Sequence, residues 1–296
     1  MLDSELLASI QQMVEKNIGR SIQLGPTRRV GGGCINHAII LETDIGLSLF
    51  VKWNEQAPGS LFECETDGLE AIRLTHSLRV PEVIGSGVSA HGVQFLVLEA
   101  IQTAAPGADF EQQLGRQLAE LHRHGVAEEF GFARSNFIGS TTQPNPWNSS
   151  WMEFWKSCRL GHQLELARNN GYGDHQFSRL ADRVLDRMDE LLSHEVQPAL
   201  IHGDLWSGNY LADEKGNPVL LDPAVYFADR EAEFGMTTLF GGLSRCFYDA
   251  YQEMWPMQAG SDDRIEIYRL YHLLNHLNLF GTSYLADCLQ IMQKYA

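Results

Sequence analysis

One stretch decides how the rest of the chain is interpreted: Leu200-Ile201-His202-Gly203-Asp204-Leu205-Trp206-Ser207-Gly208-Asn209-Tyr210-Leu211, followed by Val219-Leu220-Leu221-Asp222-Pro223. The apolar runs at 199–201 and 219–221 predict two buried strands on either side of a polar turn. Chemically active side chains follow both strands. Asp and Asn are common in turns because they tolerate left-handed backbone, which explains single residues better than this ordered set.

The spacing of these residues is typical of phosphoryl transfer. Asp204 and Asn209 are separated by four residues, as in a kinase catalytic loop, where Asp accepts the hydroxyl proton and Asn binds Mg²⁺. Asp222 lies just after a strand, where a second metal-binding carboxylate is needed. Transfer of a γ-phosphoryl group requires a base and an octahedral oxygen site on the phosphates. The three residues therefore predict a phosphotransferase that uses ATP and Mg²⁺.

A glycine cluster and a lysine-bearing strand precede this stretch. Gly32, Gly33 and Cys34 lie between two strand-like segments, and glycine allows the backbone to approach a phosphate closely. The cluster alone also fits a flexible hairpin tip. Lys52 ends the apolar run 49–51, and a lysine on such a strand contacts the α- and β-phosphates in kinases. The position of the glycines ahead of Lys52 favours a nucleotide-covering loop.

The helix predicted over about 61–77 offers three glutamates as partners of Lys52. Glu65 lies one turn before Leu69 on the apolar face and is the preferred partner. Glu63 and Glu70 remain open alternatives.

Strand and helix patterns divide the chain into two parts. Residues 92–99 predict a buried strand, and residues 110–124, 151–169 and 176–193 predict helices. Residues 135–150 are polar and predict a long ordered loop or a linker. The aromatic residues entering the second helix, Trp147, Trp151, Phe154 and Trp155, predict core packing, with one edge available to line a sugar site.

The segment 202–209 together with Asp222-Pro223-Ala224 resembles the fructosamine kinase (ketosamine-3-kinase) family, a branch of the aminoglycoside phosphotransferase-like, protein-kinase-like fold. Similar segments occur in the same order along nearly the whole chain, at 32–36, 50–52, 136–141, 239–242 and 273–281. The resemblance implies an α+β, bilobal protein-kinase-like fold with a small β-rich N-lobe and a larger, mainly helical C-lobe. The expected division is an N-terminal lobe at 1–98, a hinge at 99–101 and a C-terminal lobe at 102–296.

The resemblance also implies the reaction, which is ATP- and Mg²⁺-dependent phosphorylation of the 3-hydroxyl of ketosamines, the sugar adducts formed by glycation. Asp204 would act as the base, and Asn209 and Asp222 would hold the metal. His202 would brace the loop, Lys52 with Glu65 would neutralise phosphate charge, and Glu99 to Ile101 would present backbone groups to adenine. Fructosamine, ribulosamine and erythrulosamine adducts, free or protein-bound, all stay open as acceptors.

Further residues are expected at the acceptor sugar. Trp206 lies two residues after Asp204 and is expected to pack on the sugar. Asn275 and Asn278 are three residues apart on a predicted helix and too polar for an ordinary core face, so at least one is expected to face the cleft. Pro223 replaces the phenylalanine of protein kinases, so regulation by a movable aromatic residue is not expected.

Two alternatives remain beside the ketosamine kinase. One is a related phosphotransferase acting on an aminoglycoside, choline or a similar amino-alcohol, and the other is a non-catalytic ATP-binding regulator. The filled catalytic positions disfavour the regulator. The net charge of −16 disfavours binding to nucleic acid or to a membrane surface.

The remaining composition predicts a cytoplasmic protein. We expect no signal peptide, because the first residues lack a basic and an apolar region. Five scattered cysteines fit free thiols in a reducing compartment. The expected state is a monomer, or a homodimer that is sensitive to redox conditions.

Cys34 generates a testable prediction, because it follows three glycines near Arg28 and Arg29, and nearby cations lower a thiol pKa. Oxidation or pairing with a second copy would block the loop, whereas the alternative is a small residue filling a tight turn. If Cys34 is a redox switch, peroxide should inactivate the enzyme and dithiothreitol should restore it. The Cys34→Ala variant should be active and resistant; loss of its activity at the wild-type rate would place the sensitivity elsewhere.

Overall fold

The computed structural model describes residues 3–31 and 36–296, and its first lobe is an antiparallel sheet covered by helix α1, Ser4–Ile18. The strand order is β1-β2-β3-β5-β4. The strands are β1 Leu24–Arg29, β2 His37–Thr43, β3 Ser48–Asn54, β4 Val83–Val88 and β5 Gln94–Glu99. Apolar residues of α1 spaced one turn apart, Leu6, Ile10 and Val14, share a buried cluster with Leu49 and Val51 of the sheet. This cluster holds β3, and therefore Lys52, in place.

Helix α2, Leu61–Leu74, connects the sheet to the second lobe. Its buried residues Leu69 and Ile72 belong to the larger core, which contains most of the second lobe. At Gly68 the helix approaches so closely that a Cβ atom would lie 3.1 Å from Cγ of Pro223. The helix ends slightly before the predicted 77, and His76 then adopts a left-handed backbone with φ of 55°.

The second lobe is mainly helical. Its α-helices are α3 Phe110–His124, α4 Trp151–Phe154, α5 Gly161–Ala167, α6 His175–Asp186, α7 Met188–Leu191, α8 Glu233–Thr237, α9 Arg245–Met254, α10 Ser261–Phe280 and α11 Leu285–Tyr295. Two π-helical segments, Trp155–Leu160 and Arg168–Tyr172, continue α4 and α5, and two 3₁₀ turns, Arg230–Ala232 and Thr282–Tyr284, precede α8 and α11.

The core of this lobe confirms the predicted helix 110–124 and the packing role of most of the aromatic cluster. Trp151, Phe154 and Trp155 are buried beside α10, and the indole of Trp151 donates to the Tyr268 hydroxyl at 3.0 Å. Trp147 is the exception, because it is 47% exposed and lies at the surface. The predicted helix over 151–169 is therefore a core element interrupted by π-helical turns.

Short strand pairs carry the polar segments of the second lobe. They are β6 Asn136–Ile138 with β7 Thr141–Gln143, β8 Ala199–Ile201 with β11 Tyr226–Ala228, and β9 Tyr210–Ala212 with β10 Pro218–Leu220. The polar segment 135–150 is thus ordered rather than a linker. Asn136 and Gln143 donate to the carbonyl oxygens of Val225 and Ala224, at 2.8 and 3.0 Å, and so support the chain just after Asp222.

The sheet ends at Glu99 and the helical part begins at Phe110, which confirms the α+β, bilobal architecture. The division at 99–101 stays a prediction. None of the helices in the described ranges is both long enough and apolar enough to span a bilayer.

Helices α3 and α9 pack so closely that Gly115 has no room for a side chain, since a Cβ atom there would collide with the carbonyl oxygen of Phe247. We expect Gly115→Ala to force the helices apart and to lower the free energy of unfolding by about 1–3 kcal/mol, the usual cost of overpacking. Arg116→Ala, which removes an exposed pair with Glu253, is the control and should change stability little. Equal unfolding midpoints for the two variants would contradict this packing.

Candidate active site

Strand β8 delivers a tightly held loop, residues 202–209. The backbone N–H groups of His202 and Gly203 both donate to the buried carboxylate of Glu233, at 2.5 and 3.0 Å. Gly203 has a φ of 81°, and a Cβ atom there would collide with the carbonyl oxygen of Ala224. Only glycine therefore fits this turn, which brings the loop against the segment that follows Asp222.

His202 is fully buried and bonded at both ring nitrogens. Its Nε2 donates to the carbonyl oxygen of Leu221 at 2.8 Å, and its Nδ1 accepts from the N–H of Asp204 at 3.3 Å. Burial lowers the pKa of His202, so the ring is neutral with its proton on Nε2. These bonds join the two segments that carry Asp204 and Asp222, as expected of a residue that braces the loop.

Asp204 and Asn209 face each other across the loop. The amide Nδ2 of Asn209 donates to the backbone carbonyl of Asp204 at 2.8 Å and to its carboxylate Oδ2 at 3.0 Å. The Asn209 amide nitrogen thus donates only to Asp204, and no hydrogen bond to its Oδ1 comes from residues 3–31 or 36–296. The four-residue spacing read from the sequence thus corresponds to a direct contact.

The Asp204 carboxyl has an unusual environment for an acid. Burial raises its pKa well above the usual value, the charges of Asp222 and Glu233 raise it further, and the Asn209 amide opposes them. When ionised, this carboxylate could accept a proton from a hydroxyl group placed within hydrogen-bond distance. Its role as the base stays a prediction.

Lys52 is buried between two carboxylates. Its Nζ donates to Glu65 Oε1 at 2.8 Å and to Asp222 Oδ1 at a shorter distance. Burial alone would lower the pKa of Lys52, but Asp222 and Glu65 raise it above its usual value, so the ammonium stays charged. The result is a fixed positive charge beside the exposed half of the Asp222 carboxylate.

The same contacts decide which glutamate pairs with Lys52. Glu65 is the partner, as preferred from the sequence. Glu63 instead bonds Arg134 at 3.1 Å, and Glu70 bonds Arg73 on its own helix.

Asp222 has a backbone φ of 52°, in the left-handed region that aspartate adopts more readily than most residues. Leu221, just before it, donates its N–H to the carbonyl of Asn209 at 2.8 Å. The turn thus places the side chain toward Lys52 and keeps it close to the loop that carries Asn209.

Asn209 and Asp222 fit a magnesium ion. The Oδ1 of Asn209 accepts no hydrogen bond from the described residues, and the Asp222 side chain is 49% exposed. Amide and carboxylate oxygens are the ligands that Mg²⁺ takes in nucleotide sites. Both predicted metal ligands therefore have the donor chemistry that the ion needs, and the Asp222 side chain is open to solvent, whereas Asn209 is buried.

The end of β5 forms the predicted link between the lobes. The N–H groups of Glu99 and Ala100 already donate to the carbonyl oxygens of Glu82, just before β4, and of Ser48 in β3. The N–H of Ile101 has no partner among the described residues. The Glu99 side chain forms a hydrogen bond with Arg79 and does not face the cleft. Its backbone groups are therefore what it offers to an adenine ring.

The predicted acceptor residues have different surroundings. Trp206 is half-buried, lies over Gly208 and contacts Phe240 edge to face at 6.0 Å between centroids. Asn275 is buried, and Asn275 and Asn278 both bond Gln163, which ties α10 to α5. These bonds account for their polarity, and contact of either with a substrate stays a prediction.

The predicted phosphate loop, Gly32, Gly33 and Cys34, lies outside the described residues. Its roles in nucleotide binding and redox control stay predictions.

Two residues of the site were missed by sequence reasoning. Glu233 holds the catalytic loop, but in the sequence it looked like one of several acids at a helix N-terminus. Arg79 donates to Glu99 at 2.6 Å and to Asp213 at 2.9 Å, and so connects the link between the lobes to the β9–β10 turn. Neither has a local signal, because each acts on residues that are distant in sequence.

A sheet lobe, a helical lobe and an Asp–Asn loop opposite a lysine–carboxylate pair define an ATP-dependent phosphotransferase of the kinase-like class. An aminoglycoside phosphotransferase has the same fold, with a TM-score of 0.62 at 15% identity, covering 98% of this chain and 96% of that chain. The chain belongs to the fructosamine kinase family, whose model matches residues 6–296.

Two relatives show how far the similarity extends. The chloroplastic protein-ribulosamine 3-kinase of Arabidopsis thaliana is 42% identical over 94% of this chain and 84% of its own length. A solved Haemophilus somnus structure, assigned as a fructosamine-3-kinase, superimposes with a TM-score of 0.87 at 28% identity, covering 97% of this chain and 96% of that chain. The similarity therefore includes both lobes and the site.

Glu233 can be tested directly. In Glu233→Gln the side-chain amide would face two backbone N–H groups with only one acceptor oxygen, so the catalytic loop should lose a charge-assisted bond. We expect kcat to fall by about 10- to 100-fold while the Kd for Mg·ATP changes little. The exposed Glu253→Gln is the control. A kcat for Glu233→Gln equal to that of the control would show that the Glu233 clamp, meaning its two hydrogen bonds from the backbone of His202 and Gly203, is not needed for turnover.

Proposed function

We propose that this protein is an ATP- and Mg²⁺-dependent ketosamine-3-kinase, which transfers the γ-phosphoryl group of ATP to the 3-hydroxyl of a ketose linked to an amine. Two features of one site carry the proposal. Asn209 holds the Asp204 carboxylate, and Lys52 is fixed between Glu65 and Asp222. Family membership then favours a ketosamine as the acceptor. The named activity of the Arabidopsis relative, toward protein-linked ribulosamine, is consistent with this choice.

The nucleotide would lie between the lobes. Backbone groups at Glu99 and Ile101 would meet the adenine, and the Lys52 ammonium would neutralise charge on the α- and β-phosphates. Glu65, which accepts a hydrogen bond from Lys52 at 2.8 Å, would keep the ammonium in place beside the phosphates. Asn209 and Asp222 would hold Mg²⁺, which when bound neutralises charge on the phosphates.

Asp204 would act on the acceptor. Its carboxylate would orient the sugar hydroxyl and accept its proton as the oxygen attacks phosphorus. The amide of Asn209 and the Glu233 clamp fix the position of Asp204, so little reorganisation is needed during the reaction. Trp206, two residues further on, would cover the apolar face of the sugar.

The acceptor class can be tested with a panel of small ketosamines, an aminoglycoside and choline. We expect ADP release with a ketosamine and none above background with the other two. Asp204→Asn should lower kcat by about 10²- to 10⁴-fold, the usual contribution of a positioned base, with a nearly unchanged Kd for Mg·ATP.

The exposed Asp189→Asn, which breaks a surface pair with Lys156, is the matched control and should behave like the wild type. Turnover of the aminoglycoside or choline in preference to every ketosamine would contradict the proposed acceptor. Near-normal turnover by Asp204→Asn would remove this residue from the role of base.

A further inference from the structure

A buried histidine on helix α3 contacts the carboxylate that holds the catalytic loop. His122 is fully buried, and its Nε2 lies 3.4 Å from Oε2 of Glu233. No lysine or arginine in the described ranges pairs with Glu233, and His122 is its one side-chain partner there. Because the Glu233 carboxylate is also fully buried, its charge depends on hydrogen-bond donors. His122 thus adds a third polar contact beside the N–H groups of His202 and Gly203.

The position of His122 on α3 is one that an apolar side chain would ordinarily fill. Leu114 and Leu118 precede it at intervals of four residues and are fully buried on the same face of the helix. Near the end of α3, Gly125 accepts the N–H of Leu200 in β8 at 2.7 Å. His122 lies about one turn before this contact and therefore close to the strand that delivers the catalytic loop.

The other side of the His122 ring shows where its proton lies. The Nδ1 atom lies 2.8 Å from the hydroxyl oxygen of Tyr251, and this oxygen accepts an N–H of Arg230 at 3.1 Å. Burial raises the pKa of Tyr251, and Arg230 only partly opposes this, so the hydroxyl keeps its proton. Among the described residues this proton has one acceptor, which is Nδ1 of His122.

The tautomer of His122 follows from these contacts. Burial lowers the pKa of His122, so the ring is neutral and carries one proton. With Nδ1 accepting from Tyr251, that proton is on Nε2 and is donated to Glu233. The opposite tautomer would leave the Tyr251 proton without an acceptor and would set a lone pair of Nε2 against the carboxylate. Each donor in the chain from Arg230 to Glu233 is therefore used once.

We propose that His122 is a positioning residue for phosphoryl transfer, which holds Glu233 in the orientation that binds the catalytic loop and thereby fixes Asp204. The inference rests on the proposed function and adds to it a residue of α3 that hydrogen-bonds only Tyr251 and Glu233 among the described residues. Without the His122 donor, Oε2 of Glu233 would keep only the N–H of His202. The carboxylate could then turn away from the loop.

Two substitutions at position 122 separate the donor from the volume of the ring. His122→Gln keeps an N–H donor, whereas His122→Leu fills the space without one. We expect His122→Leu to lower kcat with a ketosamine by about tenfold, the effect of losing one hydrogen bond to a charged group. His122→Gln should stay within about threefold of the wild type because its amide replaces the donor. His124→Leu, the same substitution at an exposed position of α3, is the matched control and should turn over like the wild type.

A double-mutant cycle with Glu233→Gln distinguishes positioning from packing. If His122 acts through Glu233, His122→Leu should lower kcat by less than about twofold when residue 233 is already glutamine. A residue that only fills the core would cause the same loss in both backgrounds, because its effect would not depend on the carboxylate. Unfolding midpoints of the same preparations establish that each kcat refers to folded enzyme.

The ring proton provides a measurement that needs no apolar variant. In protein labelled with ¹⁵N-histidine, the His122 signals are identified by their loss in His122→Gln or by their shift in Tyr251→Phe. At pH 7 they should be those of a neutral ring with its proton on Nε2. If His122→Leu does not fold, the ring proton and the kcat of His122→Gln decide.

Four outcomes would overturn the inference while leaving the proposed function intact. They are a wild-type kcat in His122→Leu, an impaired kcat in His122→Gln, an equal loss in both backgrounds of the cycle, and a proton on Nδ1. Failure of the wild type to phosphorylate any ketosamine would instead contradict the proposed function. The position of the ring proton would still test the contact with Glu233 in that case.

Discussion

The buried ammonium of Lys52 is the interaction on which the rest of the site depends. It joins strand β3, helix α2 and the turn after β10, three parts of the chain that are distant in sequence or belong to different lobes. A buried charge is costly unless it is paired, so loss of Glu65 or Asp222 would leave the ammonium with a single carboxylate partner. The two carboxylates thus hold the buried charge of Lys52 in position and are themselves held by it.

Helix α2 is fixed from its other side as well. Gly68 lets it contact Pro223, and Arg134 pairs with Glu63 and Asp67 at 3.1 and 2.9 Å. The exposed ion pairs contribute little to stability, so the close packing at Gly68 is the stronger constraint. Glu65 is therefore presented to Lys52 by a helix that already rests on the second lobe. Pro223 stands where protein kinases have a movable phenylalanine, and it packs directly against this helix at Gly68.

The catalytic loop is fixed by buried carboxylate chemistry. Glu233 accepts hydrogen bonds from two backbone N–H groups of the loop. The negative charges of Glu233 and Asp222 also help to raise the pKa of Asp204. One carboxylate thus contributes to both the position and the basicity of another.

The sequence was most informative where a function depends on local spacing. The four intervening residues predict the contact between Asp204 and Asn209. The spacing of apolar residues predicts helix α3, and the position of Glu65 on the apolar face of α2 predicts its pairing with Lys52. Glu233 and Arg79 could not be found in this way, because their partners are 30 and 20 residues away and no periodic pattern connects them. At least one of Asn275 and Asn278 is expected to face the cleft because both are polar, and both form hydrogen bonds with Gln163 on a neighbouring helix. Contact of either residue with a substrate stays a prediction. Polarity alone does not tell which side of a helix a buried amide faces.

We expect Lys52 and Glu65 to be paired whether or not nucleotide is bound. The decisive measurement is a pair of wild-type crystal structures, one without nucleotide and one with magnesium and a non-hydrolysable ATP analogue. Lys52 Nζ and Glu65 Oε1 should remain in hydrogen-bond contact in both, with α2 in the same position against Pro223. A nucleotide-free crystal in which Glu65 has moved out of hydrogen-bond distance of Lys52 would contradict it.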